Sequence, residues 1–397
     1  MKAAFTHPQF RTLYGGLAAT IFGDSILLIV LSIWVKDLTG SSAAAGFTFF
    51  WLALPTLFAP VLGWVVDIFP RRAFLFWGNL ASTLPVAMLL LVRDAEHVWI
   101  IYAAAFAYGI SFVMMPAALN GMLKLVLPTN ELVDGNAALG TTKEAMRIGG
   151  PLLGAGLYAA VGPQYVVAVN IATYLIAAII VRTIRIDRDL VEPSDLKPTD
   201  ALLVGVRHVR ADPMLLRPLI AVGSAVIVFG FTESAVYALI DAFHKPAAFV
   251  GVIITMQSVG AVIGGVCASR LIRRTSEARA ITIGLAMFAA SMLGIALAPS
   301  MTVVLCVVVP AGFGLPVVII ALMTLMQVRT PAPIIGRVSA AFDVILGMPQ
   351  TLSIAIGALL VTVIDYRFIF TILAVVCTIA SAYMWLATAS SRSTTVQ

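Results

Sequence analysis

Five ionisable side chains stand inside stretches of sequence that are otherwise almost wholly apolar: Asp24, Glu144, Arg147, Glu233 and Asp343. At the centre of a lipid-spanning helix a charged group costs about 2.5 to 3.5 kcal/mol on insertion scales, so each needs compensation and marks function by default. Asp24 lies between Phe22-Gly23 and Ile26-Leu27-Leu28, 13 residues after Arg11, and Glu233 lies 16 residues after Arg217. Asp343 follows Arg337 by six residues. Glu144 and Arg147 are i and i+3 and share a helix face, so they are spaced to pair. A carboxylate withdrawn from water disfavours its charged form, which makes Asp24 and Glu233 candidates to bind a proton and a cationic substrate by turns. An inward proton would be driven by roughly 2.3 kcal/mol per 100 mV. The competing reading makes these acids structural, bonded to Ser, Thr or backbone groups between helices, and makes Glu144 and Arg147 a structural ion pair.

The elements that position these groups must lie in lipid. The chain has 397 residues, 61% hydrophobic and 11% charged, with a mean hydropathy of +1.03. Soluble domains are about half apolar and a quarter charged. Apolar runs fall near residues 12–35, 43–66, 73–92, 98–123, 137–160, 164–182, 217–240, 247–268, 280–298, 301–326, 338–363 and 367–388. Each is close to the roughly 20 residues that a helix needs to cross a bilayer. The expected fold is therefore an all-α membrane protein of twelve transmembrane helices in two six-helix bundles. The first run is too long for the core of a secretory signal and carries Asp24 in its middle, so it reads as a retained helix.

The longest hydrophilic stretch divides the chain into an N-terminal bundle (1–184), a cytoplasmic linker (185–213) and a C-terminal bundle (214–397). Within the linker, Leu202, Val206 and Val209 recur at helical spacing against Arg207, His208 and Arg210, the pattern of a short interfacial helix. With a cytoplasmic N-terminus, only Lys36, Arg93, Lys245 and Arg367 of the 25 Lys and Arg fall in outer loops. The positive-inside bias then places both termini in the cytoplasm. Trp34 and Trp99, near outer helix ends, read as interfacial anchors.

Gly63-x3-Asp67-x3-Arg71-Arg72 follows the second run, and Gly265-x3-Ser269-x3-Arg273-Arg274 follows the eighth with the same spacing. Equivalent motifs after the second helix of each half point to a duplicated six-helix unit, a common plan of transporters. Asp67 ends a helix with Arg71 and Arg72 one turn on, where a carboxylate can pair with Arg and latch one conformational state. Plain positive-inside anchoring is the competing account of the two arginines.

The Gly63, Asp67, Arg71 and Arg72 pattern resembles the loop signature between helices two and three of the major facilitator superfamily, although Ile68 and Pro70 replace its usual Arg and Gly. Gly150-Pro151-x2-Gly154 in the fifth run is similar to the superfamily's antiporter motif. Pro116, Leu127-Pro128, Glu131-Leu132, Asn136-Ala137 and Ile335-Gly336-Arg337-Val338 are similar to its drug-efflux branch, which includes macrolide and enterobactin exporters. Where drug antiporters often carry an Arg in helix four, four residues before a Gly, this chain has Ala105 before Gly109. The resemblance implies that helices one and seven line a central cavity, and that a monomer in a bacterial inner membrane exports drugs or small amphipathic metabolites by proton antiport. A lipid or lysophospholipid transporter, a proton-independent facilitator and a nutrient importer are the alternatives within the fold.

Tyr108, Met114, Met115, Asn120, Tyr237 and Gln257 are further candidates to line a cavity for an amphipathic ligand, Met offering an adaptable surface. Simple helix packing is the alternative for each. Gly260, Gly264 and Gly265 read as a close helix contact. Cys267, Cys306 and Cys377 stand singly, and the four histidines lie in flanks or loops, so neither a metal site nor a disulfide framework is expected. The basic residues form no nucleic-acid stripe. No Gly-Lys dipeptide occurs, which removes a phosphate-cradling loop. An ion gradient, with no cofactor, is the expected energy source, and no enzymatic constellation is present.

Overall fold

A computed structural model describes residues 4–128, 131–184, 198–331 and 334–393. The side chains of Asp67, Asn120, Leu132, Asn136, Ala137, Glu144 and Ile335, and linker residues 185–197, lie outside the described residues. Everything described is helix or connecting turn. The chain forms two units, Met1–Asp195 and Leu196–Gln397.

In the first unit α1 (Pro8–Thr39) is followed by α2 (Ser42–Ala53), α3 (Ala59–Asp67), α4 (Arg71–Met88), α5 (Val98–Val126), α6 (Leu132–Val161) and α7 (Pro163–Thr183). The second unit holds α8 (Pro198–Ala211), α9 (Pro213–Phe229), α10 (Thr232–Ala242), α11 (Val250–Arg274), α12 (Glu277–Ala296), α13 (Met301–Arg329), α14 (Ile335–Leu360) and α15 (Tyr366–Ser393). Nine helices among the described residues are long and apolar enough to cross a membrane, and Leu202–Ala211 with Pro213–Phe229, bent by 105°, passes only when the two are counted as one span. Every one of the twelve apolar runs is occupied by helix. α6 does not pass the same test of length and apolarity, because Lys143, Glu144 and Arg147 interrupt it.

Two runs differ from a single uninterrupted helix. The second is split into α2 and α3 by a 3-10 segment, Leu54–Phe58. Pro55 and Pro60 remove backbone donors there, so the α-helical ladder cannot run through. The seventh is split into α9 and α10 at Gly230–Phe231, where Phe231 N–H bonds Val228 O at 3.1 Å and Glu233 N–H bonds Gly230 O at 3.3 Å. These i to i+3 bonds tighten the backbone into a 3-10 turn.

Ends are fixed locally. Ser41 accepts from Ala44 N–H and Ser300 from Val303 N–H, each satisfying an orphan donor of a first turn. Gly40 closes α1 at φ 66°, and Gly162 joins α6 to α7 at φ 86°, left-handed values that glycine adopts without strain.

Lipid is as apolar as Leu, so helix association within each unit leans on close packing of small residues. A β-carbon at Gly260 or Gly264 of α11 would overlap the carbonyls of Val309 and Phe313 on α13, and one at Gly312 would overlap that of Gln257. Gly265, by contrast, faces open space. In the first unit, β-carbons at Gly150 and Gly154 of α6 would run into Ser25 and Ile26 of α1. The outer surfaces are apolar, with Trp77, Leu84, Phe112, Ile179, Val266, Phe368 and Trp385 all exposed. Trp99 belongs with them, but Trp34 does not: it is only 4% exposed, inside a stretch of α1 buried from Ile29 to Lys36. Its indole therefore packs against protein and not against headgroups.

Candidate functional site

Asp24 sits mid-way along α1, half-buried, where α5 and α7 pack against that helix. The Tyr174 hydroxyl donates to Asp24 Oδ1 at 2.8 Å, and Asn170 Nδ2 donates to the same oxygen at 3.3 Å. Both donors come from α7, one turn apart. The Tyr108 hydroxyl faces the carboxylate from α5. Asn170 is wholly buried, and its own Oδ1 has no partner among the described residues.

The sequence explains why the carboxylate can be approached so closely. Gly23 precedes Asp24, and a β-carbon there would collide with Thr173 and Asn170. Gly150 and Gly154 let α6 lie directly on Ser25 and Ile26, the next two residues of α1. The glycines of the helix-five motif thus seat α6 on α1 beside Asp24. Chemically the arrangement is an anion facing a small crescent of neutral donors. It can hold a carboxylate ionised without a basic residue, or exchange one donor for the cationic group of a ligand.

Glu233 is in the first turn of α10, directly after the tightened turn, and is half-buried. No hydrogen-bond or ion-pair partner to its side chain occurs among the described residues. The interruption is held against α14: a β-carbon on Gly230 would overlap Ile354 N and Ser353, and one on Gly357 would overlap Phe231. Ser234 and Ser353 are buried, and their hydroxyls have no hydrogen-bond partner among the described residues. Asp343 is exposed on α14.

The other predicted residues scatter. Arg147 is exposed on α6, and the Glu144 side chain lies outside the described residues. Tyr237 is completely buried in α10. Met115 lies against Gly78 of α4, and Met114 packs on the apolar core around Phe10, Leu75 and Met122. Gln257 meets Gly312 through its backbone, and Asn120 is outside the described side chains. No cluster of three His, Cys, Asp or Glu suited to a metal occurs among the described residues.

At the loop motif Arg71 donates to Val66 O at 2.5 Å, closing the end of α3, and its side chain lies over Gly121 of α5. Arg72 donates to Arg182 O at 2.7 Å at the end of α7. Cations on these terminal carbonyls also oppose the negative helix ends. Gly63, like Gly265, faces open space.

Tyr174 and Asn170 are the site residues that sequence reasoning missed. Their only signal was an i and i+4 polar pair in an apolar run, which has no counterpart in the residues flanking Asp24.

The curated relatives match nearly end to end. An MFS-type transporter, YfiS of Bacillus subtilis, is 24% identical, with 89% of this chain and 88% of that protein covered. Macrolide efflux protein A of Streptococcus pyogenes is 22% identical over 88% and 89% of the two chains. Among solved structures, nucleoside transporter NupG superposes with a TM-score of 0.77 at 12% identity, covering 95% of this chain and 98% of that one. A bacterial homologue of the iron transporter ferroportin in its inward-facing state gives 0.72 at 16% identity, covering 95% and 97%. These structures are alike in fold. The model of the Major Facilitator Superfamily matches residues 13–353, and the chain belongs to that family of membrane transporters.

Proposed function

We propose that this transporter exports drugs or small amphipathic metabolites by alternating access, coupled to an inward proton, with Asp24 and Glu233 as the coupling carboxylates. The observation that carries the proposal is the Asp24 site: a carboxylate in the middle of a membrane-spanning helix, bonded by Tyr174 and Asn170 and served by no cation among the described residues. A purely structural acid in lipid would gain most from a paired cation or complete enclosure. Asp24 has neither, and its half-buried face is free to receive a proton or a positively charged group. Support for export comes from the similarity to macrolide efflux protein A and from the Gly150-Pro151-x2-Gly154 motif packed beside Asp24.

The test is transport by the purified protein in liposomes with an imposed proton gradient, following luminal pH while cationic amphiphiles are added. Substrate-dependent proton flux is expected from the unaltered chain and is lost in Asp24→Asn or Glu233→Gln. Substrate movement without proton flux would replace antiport by facilitation. Movement of a lysophospholipid and of no soluble amphiphile would make the protein a lipid transporter.

A further inference from the structure

α8 has 14 residues, too few to cross a bilayer by itself. It meets α9 at 105°, so it runs across the direction of the apolar span that follows it. The turn is built by Asp212 and Pro213. Asp212 has extended backbone and accepts from Met214 N–H, and Pro213 takes the first helical position, where no donor is needed. The inner face of α8 is tightly seated. A β-carbon on Gly205 would overlap the Arg337 carbonyl of α14, and Val209 is 1% exposed.

The outer face combines two chemistries. Leu203 is 66% and Val204 37% exposed, and Arg207 and Arg210 are exposed beside them. Arg207 lies four residues from Leu203, one turn along the same face, and Arg210 lies on its other flank. Neither guanidinium has an ion-pair partner among the described residues; Asp212, the nearest described acid in sequence, is engaged by Arg329 at 3.5 Å. Two exposed apolar side chains beside two uncommitted arginines suit a membrane surface: the apolar side chains enter the acyl boundary while the long arginine stems lift their heads to the phosphates, which the planar guanidinium can bind through two N–H groups.

We infer that the outer face of α8 is a docking surface for anionic phospholipid headgroups, with Arg207 and Arg210 on the phosphates and Leu203 and Val204 among the acyl chains. Arginine near any helix end serves topology, but topology alone accounts neither for the crosswise helix nor for the leucine held outward between the cations. The inference concerns a surface remote in sequence from Asp24 and stands independently of the substrate.

The experiment is native mass spectrometry of the full chain released from bilayer discs containing phosphatidylglycerol and phosphatidylcholine in equal amounts. The unaltered protein is expected to retain phosphatidylglycerol preferentially, and Arg207→Gln with Arg210→Gln to lower that retention roughly 30-fold at low ionic strength, each cation near an anionic surface contributing about fivefold. Arg273→Gln with Arg274→Gln, at the end of α11, is expected to keep the preference. Equal retention of both lipids by the unaltered protein, or equal loss in the two double variants, overturns the assignment. Because a charge-stripped helix can fail to fold, amide exchange of the unaltered chain gives a second reading. Phosphatidylglycerol is expected to slow exchange along α8 relative to phosphatidylcholine, and unchanged exchange also overturns the proposal.

Discussion

Asp24 binds two α7 donors through one oxygen, so the strength of the site depends on Tyr174 more than on any other single neighbour. A hydrogen bond to a charged group contributes about 1.5 to 3 kcal/mol. Tyr174→Phe removes the shorter bond and leaves the ring, and is expected to raise the half-saturating substrate concentration at least about tenfold with little loss of folded protein. An unchanged concentration dependence in liposome uptake would show that the hydroxyl does not act on the transported species. Asp24 was legible in the sequence because an acid among Phe, Gly and Ile is costly, and the cost is itself the signal. Asn170 and Tyr174 were not, because neutral polar residues are common in membrane helices and periodicity does not reveal which of them faces a given acid. Tyr108, singled out only as a cavity residue, turns out to face that acid.

At the level of elements, glycine placement decides how close helices come. Gly154 of α6 lies against the Ile26 carbonyl of α1, whereas Gly156, two residues on, has nothing within reach of a β-carbon. Gly154→Ala must push α6 away from α1 and is expected to destabilise the protein by about 1 to 3 kcal/mol. Gly156→Ala adds the same methyl group to an open face and should be neutral or slightly favourable, since alanine is the better helix former. Thermal midpoints of the two purified variants in one detergent would check the pair, and equal midpoints would remove the helix contact as an explanation of the motif. The motif was visible as a spacing of Gly and Pro. Its target was not, because a spacing does not say which helix lies opposite. The interruption between α9 and α10 was hidden for another reason: Gly230-Phe231-Thr232 contains no proline, and the interruption follows from contact with Ser353 and Gly357, more than a hundred residues later in the chain.

For the whole molecule, hydropathy made the helical plan readable, since a bilayer constrains helix length more strongly than water does. The orientation inferred from Lys and Arg can be checked directly. With Cys267, Cys306 and Cys377 replaced by Ala, single cysteines at Glu96 or Lys245 are expected to react with an impermeant maleimide on intact cells, and those at Thr183 or Thr275 only after permeabilisation. The reverse pattern would invert the topology. The composition that made the plan readable left Trp34 misplaced, because an aromatic ring near a helix end looks the same whether it meets headgroups or another helix.

The two helices that carry the central acids are mechanically unlike. α1 is a continuous rod of 32 residues through Asp24. Its counterpart is jointed, and the joint is meshed with α14 through Gly230 against Ser353 and Phe231 against Gly357. The joint thereby ties α10 to α14, the helix that carries Asp343. Glu233 on the jointed helix is thus tied to the element that carries a second acid, whereas no break interrupts α1 at Asp24.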